Sequence, residues 1–184
     1  MAKSLLYYLA YGSNLHPVRL RQRVPSARLV GVIELRQYRL AFHKKGRDGS
    51  SKCDVVRIHR ESDCVYGAIY GIDAAQKAVL DRWEGRGNGY QDSQLTVELF
   101  GKEYCCFMYL AEPSHIEKNL KPYHWYKELV LLGATYLNFP ETYVHSIEAI
   151  ESMDDQDEAR WTRDDQLIEE ILNFSPCGSE PSYD

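Results

Sequence analysis

Seven consecutive residues at 65–71, "VYGAIYG", carry no charge and show no polar face. A run this short without alternation suits a strand covered on both sides. Such a strand belongs inside a sheet, and the flanking segments can supply one. Residues 4–11, 27–35, 38–44 and 53–59 are strand-like, with β-branched or aromatic residues and stretches of period two. The polar loop "HKKGRDGSSK", 43–52, joins two of them.

The period changes after the central run. Ile72, Ala75, Val79, Leu80 and Trp83 recur at helical spacing. Asp73 followed by Gln76 predicts a capping-box start, and Gly85 suits the position just past the helix end. "GRGNG", 85–89, reads as a flexible turn, and 90–100 with 103–111 as a hairpin across "GK". Helices are predicted over 123–132, 141–150 and about 163–173, the last starting at Thr162. Strands first and helices last predict an α+β domain around a mixed, barrel-like sheet with surrounding helices. The expected organisation is a domain over 1–150, an acidic helical extension over 151–173 packed on or beside it, and a disordered tail over 174–184.

At 184 residues the chain suits one domain with a sizeable core. No stretch approaches a membrane span, and the start lacks the apolar core of a signal peptide, so a cytoplasmic protein is expected. The five cysteines are odd in number and include no Cys-x-x-Cys; Cys105 and Cys106 are adjacent and would point to opposite faces of a strand. Reduced thiols are therefore expected rather than disulfides or a zinc site. Residues 1–60 hold 13 of the 22 Lys and Arg but only three acids, Glu34, Asp48 and Asp54. Such a half could face nucleic acid. No RNP, zinc-finger or basic-heptad pattern accompanies it, so nucleic acid is disfavoured against charge that complements the acidic half or faces solvent.

Two local patterns point to chemistry. In "YLAYGSNLHP", 8–17, a strand ending at Tyr11 turns sharply into a predicted helix starting at Leu15. Gly12 allows unusual backbone angles and close approach, and Ser13 or Asn14 can cap the helix. Backbone N–H groups there would suit a carboxylate or an oxyanion. Taken alone, this is also what a well-capped turn looks like. In "DRWEGRGNGY", 81–90, Glu84 falls in the last helical turn, where a carboxylate opposes the helix dipole. Burial among aromatics would raise its pKa, a defect for stability and an asset for a general base. Taken alone, a solvated surface Glu is the plainer reading. His43 or His59 could pair with Cys53 as a thiol nucleophile, though the spacing does not require it.

Together, "YLAYGSNL" (8–15), "CVYGAIYGI" (64–72), "LDRWEG…GY" (80–90) and "YKELVLLGA" (126–134) resemble, in order, the gamma-glutamylcyclotransferase family. The resemblance covers roughly residues 5–150 and implies a gamma-glutamyl cyclotransferase-like fold. It implies an enzyme that needs no metal or cofactor and releases 5-oxoproline from a γ-glutamyl amino acid or γ-glutamyl amine, by attack of the substrate's own α-amine. Carried over, Glu84 would be the general acid/base. Tyr11, Gly12, Ser13, Asn14 and Leu15 would cradle the γ-glutamyl moiety. Tyr90 would line the pocket, and Tyr126 would hydrogen-bond substrate, with Tyr123 close by. A homodimer is compatible with this reading. Loops 43–52 and 85–89 are expected to read the leaving group, whose identity the residues do not name. The alternatives are a non-catalytic member of the same fold that binds a metabolite or a protein, and, further behind, a basic-faced nucleic-acid-binding protein.

Overall fold

A computed structural model describes residues 4–60 and 62–175. Among them the elements run β1 (Leu5–Ala10), α1 (Pro17–Arg23), β2 (Arg28–Arg36), β3 (Tyr38–Lys45), β4 (Ser51–Arg57), β5 (Cys64–Asp73), α2 (Lys77–Glu84), β6 (Tyr90–Leu99), β7 (Lys102–Ala111), α3 (His124–Tyr136), α4 (Glu141–Glu148) and α5 (Glu158–Leu172). Five strands form one mixed sheet in the order β2-β5-β1-β7-β6, curled into a half-barrel. β1 runs antiparallel to β5 and parallel to β7, so Tyr8 lies between Tyr70 and Phe107. The doubly apolar run is β5, flanked by β2 and β1, with Val65, Ala68, Ile69 and Tyr70 fully buried. The β3–β4 ribbon is a separate two-stranded sheet packed against β5 and β7.

Three helix starts differ from the sequence expectation, each for a local reason. α1 begins at Pro17, not Leu15, and its cap is His16 rather than Ser13 or Asn14. His16 Nδ1 accepts from the Val18 N–H at 3.3 Å. Proline disfavours helical angles in the residue before it, and His16 is extended at ψ 130°. Asp73 caps a short 3₁₀ turn before α2, while the Gln76 side chain accepts from Ser26 instead of closing a capping box. α5 begins at Glu158, because Asp157 accepts from the Arg160 N–H at 3.0 Å and the Arg160 guanidinium clamps onto Asp155. Thr162, the expected cap, lies inside the helix and donates to the Glu158 carbonyl at 2.8 Å.

α5 packs on α1 and α3 and buries Leu167 and Ile171, each worth roughly 1.5–3 kcal/mol. The tail expected to be disordered from 174 lies, from 176 onward, outside the described residues. Phe174 itself stacks edge-on with His16 and Tyr136, at 5.5 and 5.9 Å between ring centroids. No helix among the described residues is long and apolar enough to cross a membrane. Cys53, Cys64, Cys105 and Cys106 are unbridged, and Cys177 lies outside the described residues.

Candidate active site

The site starts where β1 ends. The turn after Tyr11 is closed by the Leu15 N–H, which donates to the Gly12 carbonyl at 3.0 Å. Gly12 does not adopt left-handed angles; it is needed for space. A Cβ there would lie 3.0 Å from Cys53 Cβ on β4 and 3.6 Å from the Tyr126 hydroxyl on α3. The loop is therefore not the helix N-terminus that the sequence suggested, since α1 starts beyond it. The N–H groups of Ser13 and Asn14 make no backbone hydrogen bond among the described residues, which leaves them available as donors.

α2 delivers Glu84 to the same place. Gly85 ends the helix at φ 70°, an angle only glycine adopts freely, so the last helical residue turns inward beneath the loop. Asn14 Nδ2 donates to Glu84 Oε1 at 2.8 Å and to the Tyr8 hydroxyl at 3.1 Å. Arg23, in the last turn of α1, donates to the same Oε1 and to Asn14 Oδ1, both at 2.9 Å. Carboxylate, amide and guanidinium thus form a closed triangle that holds the carboxylate in one orientation. Both donors fall on Oε1; among the described residues Oε2 accepts no hydrogen bond. The neighbouring Trp83 does not bury Glu84, for it is 61% exposed with Arg23 stacked over it. The groups hydrogen-bonded to Glu84 are a cation and an amide.

A ring of phenols completes the enclosure. The Tyr11 hydroxyl donates to the Tyr109 carbonyl, and the Tyr90 hydroxyl to the Cys53 carbonyl. Tyr109 donates to Asp81 at 2.6 Å, and the Cys53 N–H donates to the Tyr126 hydroxyl at 3.0 Å. Burial holds Tyr8, Tyr11, Tyr90, Tyr109 and Tyr126 well above the usual phenol range, so all are neutral at neutral pH. Burial likewise pushes the Cys53 thiol up to about 12. His43, once a conceivable partner for that thiol, is bonded to Asp54 at 2.8 Å instead.

These side chains line a recess of about 20 Å³. It meets a cleft of about 560 Å³ along Ser13, Glu84, Tyr90 and Tyr126. Of the residues singled out from sequence, Tyr11, Gly12, Ser13, Asn14, Glu84, Tyr90 and Tyr126 converge on the recess. Leu15 does not. Its side chain is fully buried in the core, and its carbonyl accepts from the Tyr70 hydroxyl at 2.5 Å. Tyr123 lines neither cavity; its hydroxyl donates to the Asp48 carbonyl at 3.0 Å. The sequence reading missed Tyr8, Tyr109 and Arg23, and considered Cys53 only as a nucleophile. Tyr8 and Tyr109 could have been found, since each lies at even spacing from a pocket-facing or core strand residue. The 43–52 loop and the 85–89 turn line the cleft as expected, and α5 forms a wall that was not foreseen. No group of three or more His, Cys, Asp and Glu among the described residues could hold a metal ion.

Known proteins resemble this chain in sequence and in fold. A family model described as the AIG2-like family matches residues 64–147. The gamma-glutamylcyclotransferase of Bos taurus is 31% identical over 157 residues, which is 83% of this chain and 81% of that protein. The Homo sapiens protein of the same name is 30% identical over the same shares. A solved structure named gamma-glutamyl cyclotransferase has the same fold, with a TM-score of 0.76 and 24% identity over 91% of this chain and 99% of that one.

Proposed function

This chain belongs to the gamma-glutamylcyclotransferase family, and from that premise we propose that it releases 5-oxoproline from γ-glutamyl amides at the junction of recess and cleft, with Glu84 moving the proton. The observation that carries the reading is the Glu84 carboxylate, fixed through Oε1 by Asn14 and Arg23 while it lines both cavities.

The substrate enters with its α-amine protonated, and an ammonium cannot attack. Glu84 Oε2 takes one proton from it. The amine nitrogen then bonds to the γ-carbonyl carbon of the same molecule, which places nucleophile and electrophile in one chain and removes the cost of bringing them together. The carbonyl oxygen gathers negative charge. The N–H groups of Ser13 and Asn14, together with the hydroxyls of Tyr8 and Tyr126, which only accept in the bonds described above, are the donors available to stabilise it. As the tetrahedral intermediate collapses, the bond to the leaving nitrogen breaks, Glu84 returns the proton to that nitrogen, and the same carboxylate then takes the surplus proton from the ring nitrogen and passes it to the freed amine. The products are 5-oxoproline and a free amine, and no water is consumed. Asn14 and Arg23 act on this sequence by holding the carboxylate, and are positioning residues.

A panel of γ-glutamyl amino acids, γ-glutamyl amines and glutathione, assayed for 5-oxoproline, tests the reading. Release from at least one of them is expected. Binding without release from any would favour a non-catalytic member of the fold.

A further inference from the structure

The basic residues concentrated in 1–60 have a structural destination. α1 brings Arg19 and Arg23 to the cleft, and the β3–β4 loop with its flanks brings Lys44, Arg47 and Lys52. α5 adds Arg160 and Arg163 from the otherwise acidic C-terminal segment. Against these seven cations stand Asp48, Glu84, Asp164 and Glu170, so the lining carries an excess of three positive charges.

Some of that charge is already answered. Lys52 pairs with Asp48 at 2.7 Å, Arg23 with Glu84 at 2.9 Å, Arg163 with Asp164 at 2.8 Å, and Arg160 with Asp155 just outside the lining at 2.5 Å. Two buried cations are answered weakly or not at all. Lys44 is only 6% exposed, and among the described residues its ammonium has no acidic partner; it lies 4.5 Å over the Tyr90 ring. Arg19 is 7% exposed. Asp164 is 3.9 Å from it, beyond hydrogen-bond reach, and its Nε has no partner. Burial lowers the pKa of both, Arg19 to about 9, which leaves that guanidinium charged at neutral pH. Buried cations are retained at a cost unless something pairs with them. These two line the cavity that opens onto Glu84, and an anionic ligand there would complete them.

We propose that the leaving portion of the substrate is a dicarboxylate: the enzyme selects γ-glutamyl compounds whose freed amine belongs to an acidic amino acid or an acidic peptide. This rests on the cyclotransferase reading and adds to it the class of leaving group. Lys44, beside Tyr90 at the boundary of the recess, meets the carboxylate nearer the amide that breaks. Arg19, where α1 faces α5, meets the farther one. A neutral or monocarboxylic leaving group would leave at least one of these cations unpaired, and selectivity between such ligands follows from that difference.

The test compares γ-glutamylglutamate with γ-glutamylglutamine, which have nearly the same shape and differ by one negative charge, on the full-length protein with 5-oxoproline as readout. The expected kcat/KM ratio is at least about tenfold in favour of the acidic compound. Lys44→Met should bring the ratio down to within about threefold, with thermal melts confirming the fold. Arg163→Gln offers a second route that leaves the core alone, because this side chain is 69% exposed. Losing Arg163 removes the cation that competes with Arg19 for Asp164 and strengthens their 3.9 Å ion pair, so the ratio should again fall. A wild-type ratio at or below one overturns the proposal, and so does a ratio that both folded variants retain. If no γ-glutamyl compound yields 5-oxoproline, the cyclotransferase reading fails and takes this inference with it.

Discussion

The recess is walled by residues that the core places: Tyr8 on β1, Tyr109 on β7, Tyr126 on α3 and Glu84 at the end of α2. Its polar groups answer one another, from Tyr11 to the Tyr109 carbonyl, from Tyr90 to the Cys53 carbonyl and from Asn14 to Glu84. The cleft is walled by the β3–β4 loop, the turn after α2 and one face of α5. Its cations outnumber its acids, and two of them are buried without a hydrogen-bonded acid. A site on rigid elements whose side chains mostly pair with one another, leaving only Glu84 Oε2 and the loop N–H groups open, is suited to hold reacting atoms, whereas an under-neutralised site on loops and a terminal helix is suited to select what enters. Substitutions in the first should therefore act on kcat, and substitutions in the second on KM.

The largest expected effect breaks the recess. Glu84→Gln keeps the shape and a carbonyl that Asn14 and Arg23 can still reach, but it cannot exchange a proton with an amine. We expect kcat to fall by about 10²–10⁴-fold with KM nearly unchanged, measured at matched folded concentration. Folding stability should drop by about 1 kcal/mol as charge-assisted bonds become neutral ones, readable in denaturant melts. A drop confined to KM would move Glu84 into the selecting region.

Next in size is an effect on the scaffold that joins the two regions. His16 caps α1 and stacks on Phe174 just beyond α5, and burial, helped by Arg21, lowers its pKa from 6.5 to about 4. The unfolded chain binds this proton more readily, so the stability from neutral His16 is present above pH 6.5 and is lost as pH falls toward 4. The loss should reach about 2 kcal/mol. His16→Asn retains a capping acceptor and should flatten that part of the stability profile. A variant with an unchanged acid slope would show that another group is responsible.

A smaller effect is expected in the cleft. Lys44→Met should raise KM for an acidic substrate by about tenfold while kcat holds, and added salt should mimic it weakly in the wild type. A fall in kcat instead would mean that the boundary at Tyr90 belongs to the reacting region. Smallest of all, Cys53→Ser should keep turnover within a few-fold. The buried thiol is protonated at neutral pH, so no thiolate chemistry is removed with it.

The recess was far more legible in the sequence than the cleft. Glu84, the turn after Tyr11 and Gly85 announce themselves through local rules, because helix ends and tight turns restrict which residues fit. The double-sided run at 65–71 likewise fixed an interior strand. The start of α1 was misplaced although its cue was present: Pro17 forbids the helical angles that a cap at Asn14 would have required of His16. Leu15 was assigned to the pocket because it is part of the quoted motif, but an apolar side chain beside a turn is drawn into the core. Arg23, Lys44 and α5 could not be read locally. Their sequence neighbours are ordinary surface charges, and only tertiary packing turns one arginine toward Glu84 and folds an acidic segment into a cationic wall.

Ring closure within the substrate is the central claim, and the fate of the γ-carbonyl tests it most directly. The protein is incubated with a γ-glutamyl compound in oxygen-labelled water, and the products are resolved by mass spectrometry. Attack by the α-amine predicts unlabelled 5-oxoproline and an equal amount of free amine. Glutamate carrying the heavy oxygen would show that water, not the substrate's own amine, reaches the carbonyl, and would contradict the role assigned to Glu84.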